Sequence, residues 1–334
     1  MSAAKIKGSL LEYIVRRILT NCGFTKVEAD GRYIFNDRGL NFIHGKGAAH
    51  DADVLMNPPI QMPFSYPFRI NFECKAFNKK TGLTIVRNAL GLRYDINEFE
   101  VLTVEQLDSR RNLRRLNFAI SDRVRYNYQV GVASVENFTK DAFEFAANNK
   151  IPLISLRWIF SDDICNLFHE LTDNYLSNIY TYDEQKELLL FLKGDDDKNY
   201  KFTYGIHGHI STILRSLEEF ESKIIIGLLE SGDMIFLFSE ENINREYFLN
   251  SGNLNARYTY YSNELNLWNI IINNDLELKF YLPEKIVNLW RTENFEAIAA
   301  INIKERLFSK LFLFPGHPTF KIVNIDQDWL NNVR

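Results

Sequence analysis

Cysteine is scarce in this chain. Three of 334 residues, Cys22, Cys74 and Cys165, are odd in number and widely scattered. That excludes a disulfide framework and leaves no cysteine spacing suited to a metal cluster; reduced thiols in a cytoplasmic setting are expected. Long apolar runs are missing too. No stretch approaches the roughly 18 uncharged apolar residues of a membrane span, and Met1-Ser2-Ala3-Ala4-Lys5 lacks the apolar segment of a secretion signal. No membrane partner is expected. There is no internal repeat, no low-complexity tract and no helix-turn-helix or zinc-finger pattern, so sequence-specific base reading is unsupported.

What is present suits a soluble chain with ample core: 46% hydrophobic and 25% charged residues, over a length for which two domains is the natural prior. The net charge of -4 hides an asymmetry. Residues 1–160 carry 23 Lys+Arg against 16 Asp+Glu, and the remainder 16 against 27. Only the first part is then suited to meet a polyanion; ordinary solvated surface charge is the plainer alternative.

Apolar residues from Leu10 to Leu19 recur at helical spacing. A turn-rich stretch follows, then strands over Ala52–Met56 and Phe68–Phe72, joined by a proline-rich connection. Leu83–Phe99 reads as a helix and Tyr128–Ser134 as a buried strand. Thr139 caps a further helix, and Ile151–Leu156 is a last strand. The order predicts an α/β domain over 1–160, a mixed central sheet flanked by helices. From 161 to 334, after a connecting helix near Ser161–Ser177, the pattern predicts a β-rich α+β accessory or assembly domain. It includes a hairpin of Lys223–Glu230 with Met234–Ser239 and strands near 255–261, 265–272 and 276–282. The aromatics Tyr258, Tyr260, Tyr261, Trp268, Phe280, Tyr281 and Trp290 are expected to fill its core, and His207 and His209 to be structural.

The chemistry concentrates in His50-Asp51-Ala52-Asp53-Val54-Leu55 and Ile70-Asn71-Phe72-Glu73-Cys74-Lys75. An acid some twenty residues ahead of a Glu-x-Lys can bring three charged side chains together on neighbouring strands. Two carboxylates, Asp53 and Glu73, suit a small hard cation, Mg²⁺ or Mn²⁺, with the backbone carbonyl of Cys74 as a further oxygen. Lys75 shares a strand face with Glu73, while Cys74 points to the core. Asp51 is a rival ligand. Glu12 occupies an inward-looking place on the first helix, where an acid has little structural reason to be. His50 is a candidate general base, phosphate contact or loop-structuring hydrogen bonder. Lys46, in the Gly45-Lys46-Gly47 loop, and Lys79, Lys80, Arg87, Arg110, Arg111, Arg114 and Arg115 are candidate nucleic-acid contacts; for the arginines, exposed salt-linked faces are the competing account.

Gly45-x-Gly47-x-x-His50-x-x-Asp53, Phe72-Glu73-Cys74-Lys75 and the leading Glu12 resemble the PD-(D/E)xK nuclease superfamily in its Mrr-like restriction endonuclease branch, over roughly residues 8 to 157. The strand 131–134, the Phe138-Thr139 helix start and the final strand near 151–154 resemble the way that domain closes. The chain departs from the pattern at Ala48-Ala49, where glycine is frequent, and in lacking a proline before Asp53. The resemblance implies a Mg²⁺-dependent DNA endonuclease of prokaryotic antiviral or restriction defence, an oligomer, working by analogy beside an ATPase or helicase-type motor of the HerA type. A catalytically silent nuclease-fold scaffold or nucleic-acid-binding subunit and an RNA-directed nuclease are the alternative expectations.

Overall fold

The structure is a computed structural model describing residues 2–31, 33–37, 40–61, 65–99, 125–194, 205–260, 266–282, 302, 305–316 and 320–332. Its first part runs α1 (Ala3–Asn21), β1 (Thr25–Lys26), β2 (Ile34–Asp37), β3 (Leu40–His44), β4 (Ala49–Asp51), β5 (Val54–Asn57), β6 (Phe68–Lys75), α2 (Leu83–Asn97), β7 (Asn127–Ser134), α3 (Lys140–Asn148) and β8 (Leu153–Ser155). Five of these strands form one sheet in the order β1-β5-β6-β7-β8. β5 and β6 are antiparallel, whereas β6, β7 and β8 run parallel.

Strand alternation decides which residues face which layer. Ile70, Phe72 and Cys74 of β6 join the core that α1 fills with Leu10, Leu11, Ile14 and Ile18. On the opposite face Val130 and Val132 of β7 pack with Val86 and Ala89 of α2 and with Ala142 and Ala146 of α3. The result is a three-layer α/β/α arrangement, as the element order predicts. Gly131 lies opposite Phe72 in the parallel register, and a Cβ there would overlap the Phe72 ring. Thr139 caps α3 as expected, its hydroxyl accepting from the Ala142 N–H at 3.3 Å.

Two local expectations change. The strand predicted over Ala52–Met56 is interrupted: β4 pairs with β3 in a small separate sheet, β2-β3-β4, and β5 pairs with β6 in the main one. The chain changes sheets at Ala52-Asp53, with the Ala52 N–H on the Asn41 carbonyl at 2.9 Å. The connecting helix near Ser161–Ser177 is two helices, α4 (Asp162–Glu170) and α5 (Asp173–Ile179). Thr172 starts the second by accepting from the Tyr175 N–H at 3.2 Å.

The remainder comprises α6 (Tyr182–Lys193), α7 (Gly208–Glu221), β9 (Ile224–Leu229), β10 (Met234–Phe238), α8 (Arg245–Asn250), β11 (Leu254–Tyr260), β12 (Leu267–Ile272), β13 (Leu276–Tyr281), β14 (Lys310–Phe314), β15 (Lys321–Ile325) and α9 (Gln327–Asn332). Its seven strands close into a barrel, β10-β13-β12-β11-β15-β14-β9. Tyr258, Trp268 and Phe280 are buried in the barrel core, and Tyr260 packs against it. Tyr261 and Trp290 lie outside the described residues. One continuous core joins α1 and the main sheet to Phe168, Leu188 and Ile213 of the later helices and to Ile224, Ile226 and Phe236 of the barrel. Across the expected boundary near residue 160, then, the two parts share buried surface. Among the described residues no helix is long and apolar enough to cross a membrane.

Candidate active site

Antiparallel pairing of Val54 with Phe72 carries the chain one step further to set Asp53 opposite Glu73. Lys75, two residues along the same face, holds its Nζ 3.1 Å from Glu73 Oε2 and 3.8 Å from Asp53 Oδ2. The Cys74 N–H donates to Asp53 Oδ2 at 2.8 Å and fixes that carboxylate at the mouth of β5. The Cys74 side chain is buried in the α1 core, and burial pushes its thiol well above the ordinary range. It has no nucleophilic character there. Asp53, Glu73 and Lys75 thus converge at one end of the sheet. Glu12 reaches the same end from α1, close enough for the Asp53 charge to act on it.

The electrostatics have one direction. Burial, helped by the Glu73 charge, lifts the Asp53 carboxyl to about 6, against the pull of the Cys74 N–H and Lys75. Burial, then Asp53, lifts Glu12 to about 7. Asp51 is raised as well, by burial with Glu73 adding to it. For Lys75 burial works against the ammonium, yet Glu73 and Asp53 outweigh it and the group stays charged. Lys75, with Arg16 and Lys193 acting on Glu12, does not offset the burial of these acids.

An excess of hard oxygen donors is the chemistry that suits Mg²⁺ or Mn²⁺. Among the described residues no three His, Cys, Asp or Glu side chains are gathered tightly enough to form a metal cage by themselves. The protein offers a carboxylate pair, Asp53 and Glu73, with Glu12 behind it. Mg²⁺ sites take that form when water and substrate phosphate complete the shell, so the donor set fits.

The other expected residues fall in several places. His50 Nε2 is 2.6 Å from Asp95 Oδ2 on α2. Asp95 also accepts from the Gly47 N–H at 2.7 Å, and its own carbonyl accepts from the Lys46 N–H at 3.0 Å. Bonding to His50 holds the Asp95 carboxyl below the usual range. His50 and Asp95 therefore tie the 45–47 loop to α2, with Gly45 packed where a Cβ would collide with Asp95. The Lys46 ammonium pairs with Glu98 at 2.8 Å on the exposed surface. Lys79 and Lys80 are exposed in the turn that follows β6. Arg87 is turned toward α3, its guanidinium 5.8 Å from the Phe145 ring centre. Arg110, Arg111, Arg114 and Arg115 lie outside the described residues. His209 stacks on Tyr175 with ring centres 4.2 Å apart and pairs with Glu170 at 2.9 Å, remote in sequence from the acids.

Two features escaped the sequence reading. Asn71, fully buried two residues before Glu73 on the same strand face, has no hydrogen-bond partner for either amide atom among the described residues. Its signal was a polar residue inside an apolar run. Beside the acids lies a cleft of about 290 Å³, lined by Glu12 and Asp53 and also by Arg16, Lys26 and Lys193. Lys193 stands 140 residues after Asp53, and no local pattern links them.

No family model and no curated protein matches this chain. A solved structure, that of AF1548, a protein of unknown function, is similar at 14% identity over 64% of this chain and 97% of its own, with a TM-score of 0.33.

Proposed function

We propose that this chain is a divalent-metal-dependent endonuclease that hydrolyses DNA phosphodiester bonds, with a PD-(D/E)xK-type domain of the Mrr-like branch in its first part. The observation that carries the reading is the meeting of Asp53, Glu73 and Lys75 within 3.8 Å contacts at one sheet end, among carboxyls pushed upward in pKa. Asp53 and Glu73 would hold the cation. When bound, Mg²⁺ or Mn²⁺ supplies Lewis acidity to the phosphoryl group and to water.

The chain's own groups do the remaining work. Lys75, kept charged by its two acidic neighbours, presents an ammonium to the phosphoryl oxygens as negative charge builds there. The Cys74 N–H holds one oxygen of Asp53 in place and so restrains the carboxylate that would meet the cation. Glu12, titrating at about 7, can take up or release a proton at working pH. The apolar layer of Phe72, Cys74 and α1 behind the site keeps bulk water from screening these charges. The biological setting belonging to this reading is defence against foreign DNA, alongside a motor ATPase.

Nicking of supercoiled plasmid with Mg²⁺ or Mn²⁺ tests it. Wild type should cut and EDTA should stop it. Lys75→Ala and Glu73→Ala should each lower the rate by at least about 100-fold, the cost of losing one transition-state contact. A wild-type chain inert with both metals, or variants that nick at the wild-type rate, would refute the assignment.

A further inference from the structure

We propose that Lys193, at the C-terminal end of α6, is a phosphate-contacting residue of the site, so that the later part of the chain completes the nucleic-acid-binding cleft. The proposal rests on the nuclease reading for the identity of the polyanion, the backbone of duplex DNA.

Geometry carries it. The cleft beside the carboxylates is lined by three acids, Glu12, Glu28 and Asp53, and by three cations, Arg16, Lys26 and Lys193. A phosphodiester whose scissile phosphorus sits among the acids needs cations for the flanking phosphates a few ångströms away, and those cations must be held in place. The end of α6 is anchored in this way. Phe191 packs on Tyr13 of α1 with ring centres 5.3 Å apart. Arg16 donates to the Leu192 carbonyl at 2.5 Å, and Lys26 to the Gly194 carbonyl at 3.1 Å.

Gly194 ends the helix in a left-handed conformation, φ 63°, which a side chain would strain. Its Cβ position is also 3.0 Å from the Arg16 guanidinium. The last turn of α6 is therefore pinned on α1 and β1, and Lys193 is carried to the cleft wall. A lysine in a final helical turn commonly serves the helix dipole. Here Arg16 and Lys26 already bond carbonyls at that end, so the capping need is met without it. Lys193 instead lines the same cleft as Glu12 and Asp53.

The experiment uses the full chain and a fluorescein-labelled 20-base-pair DNA duplex, with anisotropy read in EDTA at several salt concentrations. Lys193→Ala and Lys193→Gln should weaken binding about fivefold and flatten the log K against log salt slope by about one, the signature of one lost phosphate contact. Lys193→Arg should bind near the wild-type level. Lys186→Ala, an exposed lysine on the same helix, is the control and should change neither quantity. Thermal melts matched to wild type keep a folding defect from imitating the result, and Lys193→Gln preserves most of the stem's packing should Lys193→Ala not.

If Lys193→Ala and Lys193→Gln bind with unchanged affinity and slope, the inference is wrong, even when Lys75→Ala still abolishes nicking and the nuclease reading stands. If the Lys193 variants lose binding while the wild type never nicks DNA, the phosphate contact survives and the catalytic reading falls. A wild type that binds no duplex overturns both.

Discussion

Glu12→Gln replaces a carboxyl by an amide of nearly the same shape and asks whether burial, and after it the neighbouring Asp53, disfavours a charge at this position. The Glu12 pKa is about 7 in the folded chain against 4.5 for the ordinary group. A raised carboxyl means that the folded state binds the proton more tightly than the unfolded state. Below the unfolded value the carboxyl is neutral in both states and its full contribution to stability is present; as pH rises through 7 that contribution is lost. A gap of about 2.5 pKa units corresponds to about 3 kcal/mol, an upper figure for a partly buried group. Unfolding entropy near 2.1 cal/mol/K per residue turns this into a Tm difference of about 4 °C for a chain of this length.

The amide has no such titration. Glu12→Gln should therefore melt about 4 °C above wild type at pH 8 and near the wild-type temperature at pH 4.5, by differential scanning fluorimetry in EDTA. Asp53, raised to about 6, adds an effect of the same sign, so wild type itself should lose stability between pH 5 and pH 8. Mg²⁺ at ten times its Kd should return about 1.4 kcal/mol to wild type at pH 8. An equal Tm difference at both pH values, or a variant less stable than wild type at pH 8, would refute the electrostatic account of the site.

The other expectations concern the frame around it. Arg157 donates to Glu136 from both Nε, at 3.0 Å, and Nη2, at 2.5 Å, while His169 lies 2.7 Å from the same oxygen, with both partners of the ion pair 14% exposed. Arg157→Ala removes two hydrogen bonds to Glu136 but leaves His169 beside it, and should cost about 1–3 kcal/mol in urea unfolding; a loss under about 0.5 kcal/mol would show the network to be idle. Gly131→Ala places a methyl group in the Phe72 ring and should destabilise by about 1–3 kcal/mol, seen as a lower denaturation midpoint with an unchanged m-value. A neutral result would mean that Phe72 has room to move.

Much of the main sheet was legible because its signals are local. Leu10–Leu19 carry one apolar face, Thr139 carries a hydroxyl where a helix starts, and alternation along 68–75 separates Phe72 and Cys74 from Glu73 and Lys75. These depend on periods of 3.6 and 2 and need no knowledge of partners. The break at Ala52-Asp53 did not show, because strand propensity does not reveal that β4 and β5 pair with different sheets. The tie between His50 and Asp95 was equally hidden: a loop histidine offers several fates, and only the docking of α2 on the 45–47 loop chose among them. Arg87 stays exposed, with its guanidinium beside the Phe145 ring of α3, a contact that no local pattern announces.

From the residue order alone came the α/β pattern, the β-rich second part and the Asp53, Glu73 and Lys75 set, each written in spacings of a few residues or in one strand pairing. Tertiary structure decided the rest: the closing of seven strands into a barrel, a single core running from α1 into β9 and β10, and the arrival of Lys193 beside Glu12 and Asp53. The physical reason is that such contacts join residues distant in sequence, 82 to 88 positions where β9 meets β14 and 140 between Asp53 and Lys193. Their free energy comes from shared burial and charge, which no local period encodes.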